Sequence, residues 1–183
     1  MKIISIITEK GGVGKTTSTI HIGATLSKMG FKTLLIDFDA QRNLSIGYNI
    51  PKEFPYTVND FLNLRFMNFG VFEKDKKLSV LAGSRDIEML EFKSNNIQIC
   101  FNKLQQLEFD YVLIDCPPRP LSGILSLGEI ALRYSDFVIS PIDSEKYSIE
   151  GINELLPSIK RIKTNYNTKL NFLGFFFNRV KRR

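Results

Sequence analysis

The chain has 183 residues, of which 43% are hydrophobic and 24% charged. This composition is that of a soluble globular protein, and the length suits a single domain over residues 1–183. No apolar run approaches the roughly 20 residues that a transmembrane helix requires, so we expect a cytoplasmic protein with no membrane partner. The only two cysteines, Cys100 and Cys116, form neither a CxxC pair nor a disulfide framework.

The net charge of +6 is unevenly distributed along the chain. The segment from Leu155 to Arg183 contains no acidic residue and eight basic ones, which are Lys160, Arg161, Lys163, Lys169, Arg179, Lys181, Arg182 and Arg183. Residues 1–154 carry a net charge of −2. This excess of positive charge at one end is typical of a nucleic-acid surface, or of a solvated face that balances the acids of a partner.

Segments with the pattern of strands and of helices alternate along the chain. The predicted strands are short apolar runs at residues 2–8, 32–37, 77–83, 111–115, 136–141 and 170–177. The predicted helices lie at residues 15–29, 57–64, 85–107, 122–132 and 149–162, and much of 49–77 has the pattern of an irregular connection. This alternation predicts an α/β fold, a three-layer sandwich with a mostly parallel sheet.

A glycine-rich turn joins the first predicted strand to the first predicted helix. Residues 8–18 read TEKGGVGKTTS. The phosphate-binding pattern G-x-x-x-x-G-K-[ST] fits this stretch except at Glu9, where the pattern has glycine, and Lys10 adds a second lysine to the expected Lys15. The free N–H groups and the positive dipole end of the helix favour a bound phosphate at this turn.

The side chains of this turn have separate predicted roles. Lys15 is placed for the β- and γ-phosphates, Thr16 for a magnesium ion and Thr17 for a further phosphate hydrogen bond. The glycines allow the main chain to wrap closely around the phosphates. The sequence therefore predicts a nucleotide site formed by Lys10, Gly11, Gly12, Val13, Gly14, Lys15, Thr16 and Thr17.

Two further apolar strands end in acidic residues. The first is followed by Asp37 and Asp39, and the second ends at Asp115. Because the carboxyl ends of parallel strands share one edge of a sheet, we expect these carboxylates to lie beside the glycine-rich turn. Asp115 suits the role of holding Mg²⁺, with Asp37 as a second candidate metal ligand. Asp39, at the exit of the neighbouring strand, is a candidate to orient an attacking water.

Four segments resemble, in the right order, the deviant Walker A, Walker A′, Walker B and following motifs of the ParA/Soj/MinD ATPases: KGGVGKTT, DFDAQRNLS, FDYVLIDCPP and SPIDSEKYSIEGI. The resemblance covers almost the whole chain. It implies a P-loop NTPase fold, with ATP and Mg²⁺ as cofactors. It also implies a homodimer in the ATP state, in which Lys10 reaches the partner's phosphates, so that Lys10, Lys15 and Asp39 are the predicted catalytic residues. Asn178 matches the position where the family contacts adenine.

Within the family, the run AQRN after Asp39 resembles the D-P-Q-x-N of partition proteins, with Ala40 in place of proline. Nothing in the sequence resembles the amphipathic membrane-targeting helix of MinD-type proteins. The resemblance implies a nucleoid-associated partition ATPase with slow hydrolysis stimulated by a ParB-like centromere-binding protein. It further implies nonspecific DNA binding through the basic C-terminal part. Family members commonly continue with C-terminal helices, which we expect this chain to lack.

Two alternative functions remain open at the level of the sequence. A ParA-like ATPase can localise a protein complex, or act as a regulator, without binding DNA. A P-loop kinase that phosphorylates a small molecule is disfavoured, because such an enzyme has no need of Lys10.

Overall fold

The computed structural model describes residues 1–65, 71–89, 91–143 and 148–178. Its seven strands are β1 Lys2–Ile6, β2 Thr33–Asp37, β3 Phe72–Asp75, β4 Leu78–Leu81, β5 Tyr111–Asp115, β6 Phe137–Ile142 and β7 Asn171–Phe177. Its α-helices are α1 Lys15–Lys28, α2 Asn43–Gly47, α3 Val58–Leu62, α4 Ser94–Gln105, α5 Leu127–Tyr134 and α6 Ser148–Asn165, and a 3₁₀-helix spans Arg85–Met89.

The strands form one sheet in the order β3-β4-β2-β5-β1-β6-β7. Every neighbouring pair is parallel except β3 with β4. The central strands are buried on both faces, because their apolar side chains alternate between two cores. Leu34 and Ile36 of β2 belong to one core and Leu35 to the other. This pattern explains why the strand reads as a continuous apolar run.

Helices cover both faces of the sheet, so the three-layer sandwich predicted from the sequence is confirmed. On one face the core includes Leu26 of α1 and Leu44 of α2. On the other face it includes Phe101 of α4, Ile130 of α5 and Ile159 of α6. No helix in the described part of the chain is both long enough and apolar enough to cross a membrane.

The structure differs from the sequence-based prediction in the middle of the chain. The helix predicted over 85–107 is instead a 3₁₀-helix followed, after a break, by α4. Strand β3 lies within the segment 49–77, which we predicted to be mostly irregular. Helix α2 was not predicted, and α5 begins at Leu127 rather than near residue 122. The start of α5 has a local cause, because the Ser126 side chain caps the helix by accepting the Glu129 N–H.

A buried ion-pair cluster holds α5 against α6. The carboxylate of Glu129 is fully buried and accepts hydrogen bonds from the guanidinium groups of Arg161 and Arg133 and from the Gly123 N–H. Arg161 also donates to the Leu121 carbonyl at 3.1 Å. Arg161 is therefore paired with a buried carboxylate, and it contributes less to an exposed basic surface than its place in the basic C-terminal segment suggested.

Candidate nucleotide-binding site

Three strand ends meet at one edge of the sheet and define the site. In the register of the sheet, Asp115 of β5 lies opposite Asp37 of β2 on one side and Ile6 of β1 on the other. The turn from β1 into α1 starts just beyond Ile6. The prediction that the strand-end acids lie beside the glycine-rich turn is therefore confirmed by the fold.

The backbone of the turn has the conformation that its glycines allow. Gly12 and Gly14 have φ angles of 76° and 93°, in the left-handed region that favours glycine. Gly14 is also the residue that precedes the first turn of α1. A Cβ atom at Gly14 would overlap the side-chain amide of Asn178, so a larger residue is excluded there by contact as well as by backbone angle.

The Lys15 side chain lies inside the loop. Lys15 is only 6% exposed, and its Nζ donates to the Lys10 carbonyl oxygen at 3.1 Å. Burial lowers the pKa of Lys15, and the negative charges of Asp115 and Asp39 oppose that effect. The loop thus holds a cation at its centre, which is the position from which a P-loop lysine meets phosphate oxygens.

The Lys10 side chain turns away from the loop. Its Nζ pairs with Oδ2 of Asp143, after β6, at a distance of 2.9 Å. The Lys10 side chain is 30% exposed, in contrast to that of Lys15. The two lysines of the motif therefore place their ammonium groups in different surroundings, one within the phosphate cradle and the other at its mouth.

Asp115 carries the strongest indication of a metal ion. It is fully buried, and its Oδ2 has no hydrogen-bond partner among the described residues, while Oδ1 accepts from the Thr19 hydroxyl at 3.4 Å. Burial raises the pKa of Asp115 to about 7, and the Thr16 hydroxyl partly counteracts this rise. A buried carboxylate oxygen without a donor, next to the predicted Thr16 ligand, fits a bound cation.

The remaining donor set also suits magnesium. Within the described ranges, no group of three or more His, Cys, Asp or Glu side chains could hold a metal ion by themselves. Magnesium ions are usually held by one or two carboxylates together with substrate phosphates and water. Thr16 and Asp115 are therefore the residues that would hold Mg²⁺ here, with nucleotide phosphates completing its ligands.

Asp37 and Asp39 are engaged differently from Asp115. The Asp37 carboxylate accepts hydrogen bonds from the Ser45 N–H at 2.9 Å, from the Ser45 hydroxyl at 2.6 Å and from the Asp39 N–H at 3.3 Å. Burial raises the pKa of Asp37 to about 6. Because its oxygens already have donors, this geometry favours Asp115 over Asp37 as the metal ligand, and a metal contact by Asp37 stays a prediction. Asp39 is 8% exposed, and its Oδ1 accepts from the Gln41 N–H at 2.9 Å.

Asn178 lies against the P-loop. Its Nδ2 donates to the Val13 carbonyl at 2.9 Å, and its backbone N–H donates to the Ile142 carbonyl at 2.7 Å. These contacts join the end of β7 to the phosphate-binding turn. The adenine contact that the resemblance implied for Asn178 stays a prediction. Of the segment SPIDSEKYSIEGI, residues 144–147 lie outside the described residues, as do the last five residues of the chain.

Three residues to which no role was assigned from the sequence contact the predicted site residues or the glycine-rich turn. Asp143 pairs with Lys10, and Ser45 holds Asp37. Glu9, seen in the sequence only as a departure from the motif, accepts from the Leu121 N–H at 3.3 Å. These contacts span between 8 and 133 positions of sequence. Ser45 and Asp143 lie within the motifs that carry the family resemblance, but the motifs do not specify which groups these two residues contact.

A strand, a glycine-rich loop and a helix, with buried acids at the adjoining strand ends, define a P-loop nucleotide site, and the comparisons with known proteins agree. A family model described as an AAA domain matches residues 1–172. The chromosome-partitioning ATPase Soj of Treponema pallidum is 34% identical over an alignment of 184 positions, which covers 96% of this chain and 70% of Soj. The chromosome partitioning protein ParA of Caulobacter vibrioides is 29% identical, over 100% of this chain and 71% of ParA.

Solved structures resemble the whole fold. Cobyrinic acid a,c-diamide synthase from Mycobacterium smegmatis, with bound ADP and magnesium, is 26% identical with a TM-score of 0.85 and covers 97% of this chain and 74% of its own. The MinD cell division protein of Aquifex aeolicus is 26% identical with a TM-score of 0.78, over 99% of this chain and 70% of MinD. The chain belongs to the ParA/Soj/MinD-type P-loop ATPases.

Proposed function

We propose that this protein binds and slowly hydrolyses ATP with Mg²⁺, forms a homodimer in the ATP state, and positions plasmid or chromosomal DNA. The similarity to Soj and ParA supports the partition role. The magnesium and ADP bound by the structural relative from Mycobacterium smegmatis support the choice of cofactors. We place the protein in the cytoplasm, associated with the nucleoid.

The separation of the two lysines is the observation that carries this proposal. Lys15 occupies the loop and is placed for the nucleotide of its own subunit. Lys10 extends from the same loop to Asp143 at the mouth of the site, where a facing subunit can approach. A cation that reaches the transferred phosphate only on assembly acts like an arginine finger, and it couples hydrolysis to dimer formation.

Within one subunit the site supplies positioning and charge. The N–H groups of the turn and the Lys15 ammonium bind the phosphates, and Thr16 and Asp115 hold the metal. Magnesium, when bound, neutralises the charge that develops on the phosphates. The Asp39 carboxylate, at the exit of β2, orients the attacking water. Water attacks the γ-phosphate directly and ADP leaves, with no covalent intermediate on the protein, so the rate depends on how accurately these groups are held.

For DNA we propose a surface at the basic C-terminal end of the chain. Lys160, Lys163 and Lys169 are exposed, unlike Arg161. The cluster Lys181, Arg182 and Arg183 lies outside the described residues. Lysine and arginine contacts to phosphate carry no base preference, so binding is nonspecific in sequence. A ParB-like centromere-binding protein is the proposed stimulator of hydrolysis.

The test measures ATPase activity and DNA binding together, at several salt concentrations. We expect nonspecific duplex DNA to stimulate hydrolysis, and DNA to bind more tightly with ATP than with ADP. The affinity should fall with salt with a log–log slope of about −0.9 per phosphate contact. Replacing Lys181, Arg182 and Arg183 by alanine should weaken binding uniformly across sequences and flatten this slope, while ATP binding is unchanged.

A matched control removes the same number of charges from residues that are distant in sequence from the C-terminal end. Lys52, Lys74 and Lys76 are exposed, and Lys74 lies on the other edge strand, β3. Their replacement by alanine should leave DNA affinity close to wild type. If both triple variants bind DNA equally well, the C-terminal end is not the DNA surface.

One observation favours a second candidate function. The Arg161 guanidinium pairs with Glu129, which reduces the exposed basic surface that could bind DNA. In this alternative the ATP cycle localises a protein complex or regulates one without DNA. An ATP-dependent dimer whose hydrolysis does not respond to DNA would support it.

A further inference from the structure

A chain of hydrogen bonds, which we call the relay, connects Ser45 through Asp37 to the backbone of Asp39. It starts at Ser45 in α2, whose hydroxyl donates to Oδ2 of Asp37 at 2.6 Å and whose N–H donates to the same oxygen at 2.9 Å. The other oxygen of Asp37 accepts the Asp39 N–H at 3.3 Å. All of these groups are buried.

The direction of the Ser45 hydroxyl is fixed by Gly83, which follows β4. The Gly83 N–H donates to Ser45 Oγ at 2.9 Å, so the single proton of that hydroxyl is available for Asp37. A Cβ atom at Gly83 would lie 2.9 Å from both Cγ and Oδ2 of Asp37. Only glycine therefore lets the chain after β4 approach the carboxylate this closely.

The relay ends at the group that we placed beside the attacking water. Asp39 Oδ1 accepts the Gln41 N–H at 2.9 Å, and the Asp39 carbonyl accepts the Arg42 N–H at 2.9 Å. None of the described residues donates to Asp39 Oδ2. One carboxylate oxygen is thus fixed by the turn and the other is left for a ligand.

We infer that Ser45 is a positioning residue for hydrolysis, which acts through Asp37 to hold the Asp39 carboxylate in line with the attacking water. This inference rests on the proposed function, in which Asp39 orients that water. In this role Asp37 is a link of the relay, and its carboxylate is occupied by protein donors. Ser45 contacts neither nucleotide nor water, so its effect falls on the rate of the bound complex.

The experiment measures single-turnover ATP hydrolysis, ATP affinity and unfolding by urea for the wild type and five variants. We expect Ser45→Ala to lower the hydrolysis rate at saturating ATP by about 10- to 100-fold, since small displacements of a positioned group have effects of this size. ATP affinity should stay within about twofold, because that variant leaves the P-loop intact. Ser45→Thr, which keeps the hydroxyl, should recover most of the rate.

Gly83→Ala provides a second variant, since its methyl group would displace the Asp37 carboxylate without removing any donor. It should show the same loss of rate at retained ATP affinity. The matched control is Thr57→Ala at the start of α3, another five-residue helix, where the Thr57 hydroxyl donates to Asp60 at 2.9 Å. That variant loses a hydrogen bond to a carboxylate outside the relay, while the backbone pairing of Thr57 with Ala82, next to Gly83, is kept, so its rate should remain that of the wild type.

The outcomes separate this inference from the proposed function. If Asp39→Ala hydrolyses bound ATP at the wild-type rate, the role of Asp39 itself fails. If Asp39→Ala abolishes hydrolysis while both Ser45→Ala and Gly83→Ala stay within twofold of wild type, only the relay is rejected. An equal loss of rate in Thr57→Ala would also reject it, because general destabilisation would then explain the effect.

Discussion

Two fully buried carboxylates in this protein have opposite surroundings. Glu129 of α5 accepts from two guanidinium groups and a backbone N–H, and these donors hold α6 and the preceding loop in place. Asp115 of β5 has an oxygen with no donor among the described residues, and burial raises its pKa to about 7. The protein supplies the hydrogen-bond donors of Glu129, whereas one oxygen of Asp115 is available to a ligand.

The number of protein donors to each carboxylate distinguishes a structural acid from a functional one here. Burial does not, because both residues are 0% exposed. A buried charge with protein partners contributes to the packing around it. A buried carboxylate with one oxygen that lacks a donor costs stability, and a fold retains such a group where a ligand supplies the missing interaction. Substitutions at the two positions should therefore change the free energy of unfolding in opposite directions.

The largest effect on stability is expected at Glu129. Glu129→Gln removes the negative charge that faces Arg161 and Arg133, and it leaves these cations facing a neutral amide. Breaking a buried ion pair on one side costs about 3–5 kcal/mol, and we expect about 2–4 kcal/mol because the Arg161 side chain is 31% exposed to water. Urea unfolding monitored by circular dichroism measures the loss.

The control for this variant is Glu108→Gln at the exposed pair of Lys32 with Glu108. That substitution should not measurably change the unfolding midpoint, because solvent screens an exposed pair. Equal midpoints for Glu129→Gln and the wild type would contradict the structural role of the cluster.

A smaller effect of opposite sign is expected at Asp115. Because the pKa of Asp115 is raised from 3.8 to about 7, the folded protein binds the proton more tightly than the unfolded chain. The contribution of Asp115 to stability is then fully present below about pH 4 and is lost as the pH rises through 7. Asp115→Asn removes this loss, and allowing for the new buried amide we expect a gain of about 1–2 kcal/mol at pH 8.

The measurement is urea unfolding at pH 5 and pH 8, in EDTA and without nucleotide. The gain from Asp115→Asn should shrink toward pH 5, where the wild-type carboxyl is largely protonated. The same variant should lose magnesium-dependent hydrolysis. A destabilised Asp115→Asn protein at pH 8 would show that the carboxylate is needed by the fold.

The sequence predicted the parts of the molecule that local pattern defines. Strands β1, β2 and β5 are continuous apolar runs, and their order relative to the glycine-rich turn was enough to place Asp37 and Asp115 at one edge of the sheet. The P-loop was predictable because its glycines, lysine and threonine occur at fixed spacing. These features depend on residues close together in the chain.

Other parts depend on contacts that the sequence does not display. Helix α2 has only five residues, and its Ser45 is held by hydrogen bonds to Asp37 and Gly83. Strand β3 reads FEKD, without the apolar character of the other strands. The count of basic residues near the end of the chain included Arg161, which the fold uses to satisfy Glu129. A charge count along the sequence therefore overestimates the charge of a surface.

The smallest effect on stability is expected at Lys10, where the effect on function is large. The ion pair of Lys10 with Asp143 is partly exposed, so Lys10→Ala should change the unfolding free energy by less than about 1 kcal/mol. ATP should still bind through Lys15 and the loop N–H groups. Loss of a cation supplied by the partner should lower hydrolysis about 1,000-fold and prevent the ATP-dependent dimer, as measured by single-turnover kinetics and light scattering.

Two controls make the Lys10 prediction specific to action between subunits. Asp143→Asn breaks the same ion pair but keeps the lysine, so its hydrolysis should remain well above that of Lys10→Ala. Lys10→Ala mixed with Asp39→Ala should recover hydrolysis that neither variant shows alone. In the mixed dimer the Asp39→Ala subunit supplies Lys10 to the ATP of its partner, which retains its own Asp39. A mixture that forms the mixed dimer by light scattering and is still as inactive as its components would mean that Lys10 acts within its own subunit, and that the ammonium at the mouth of the site serves its own nucleotide.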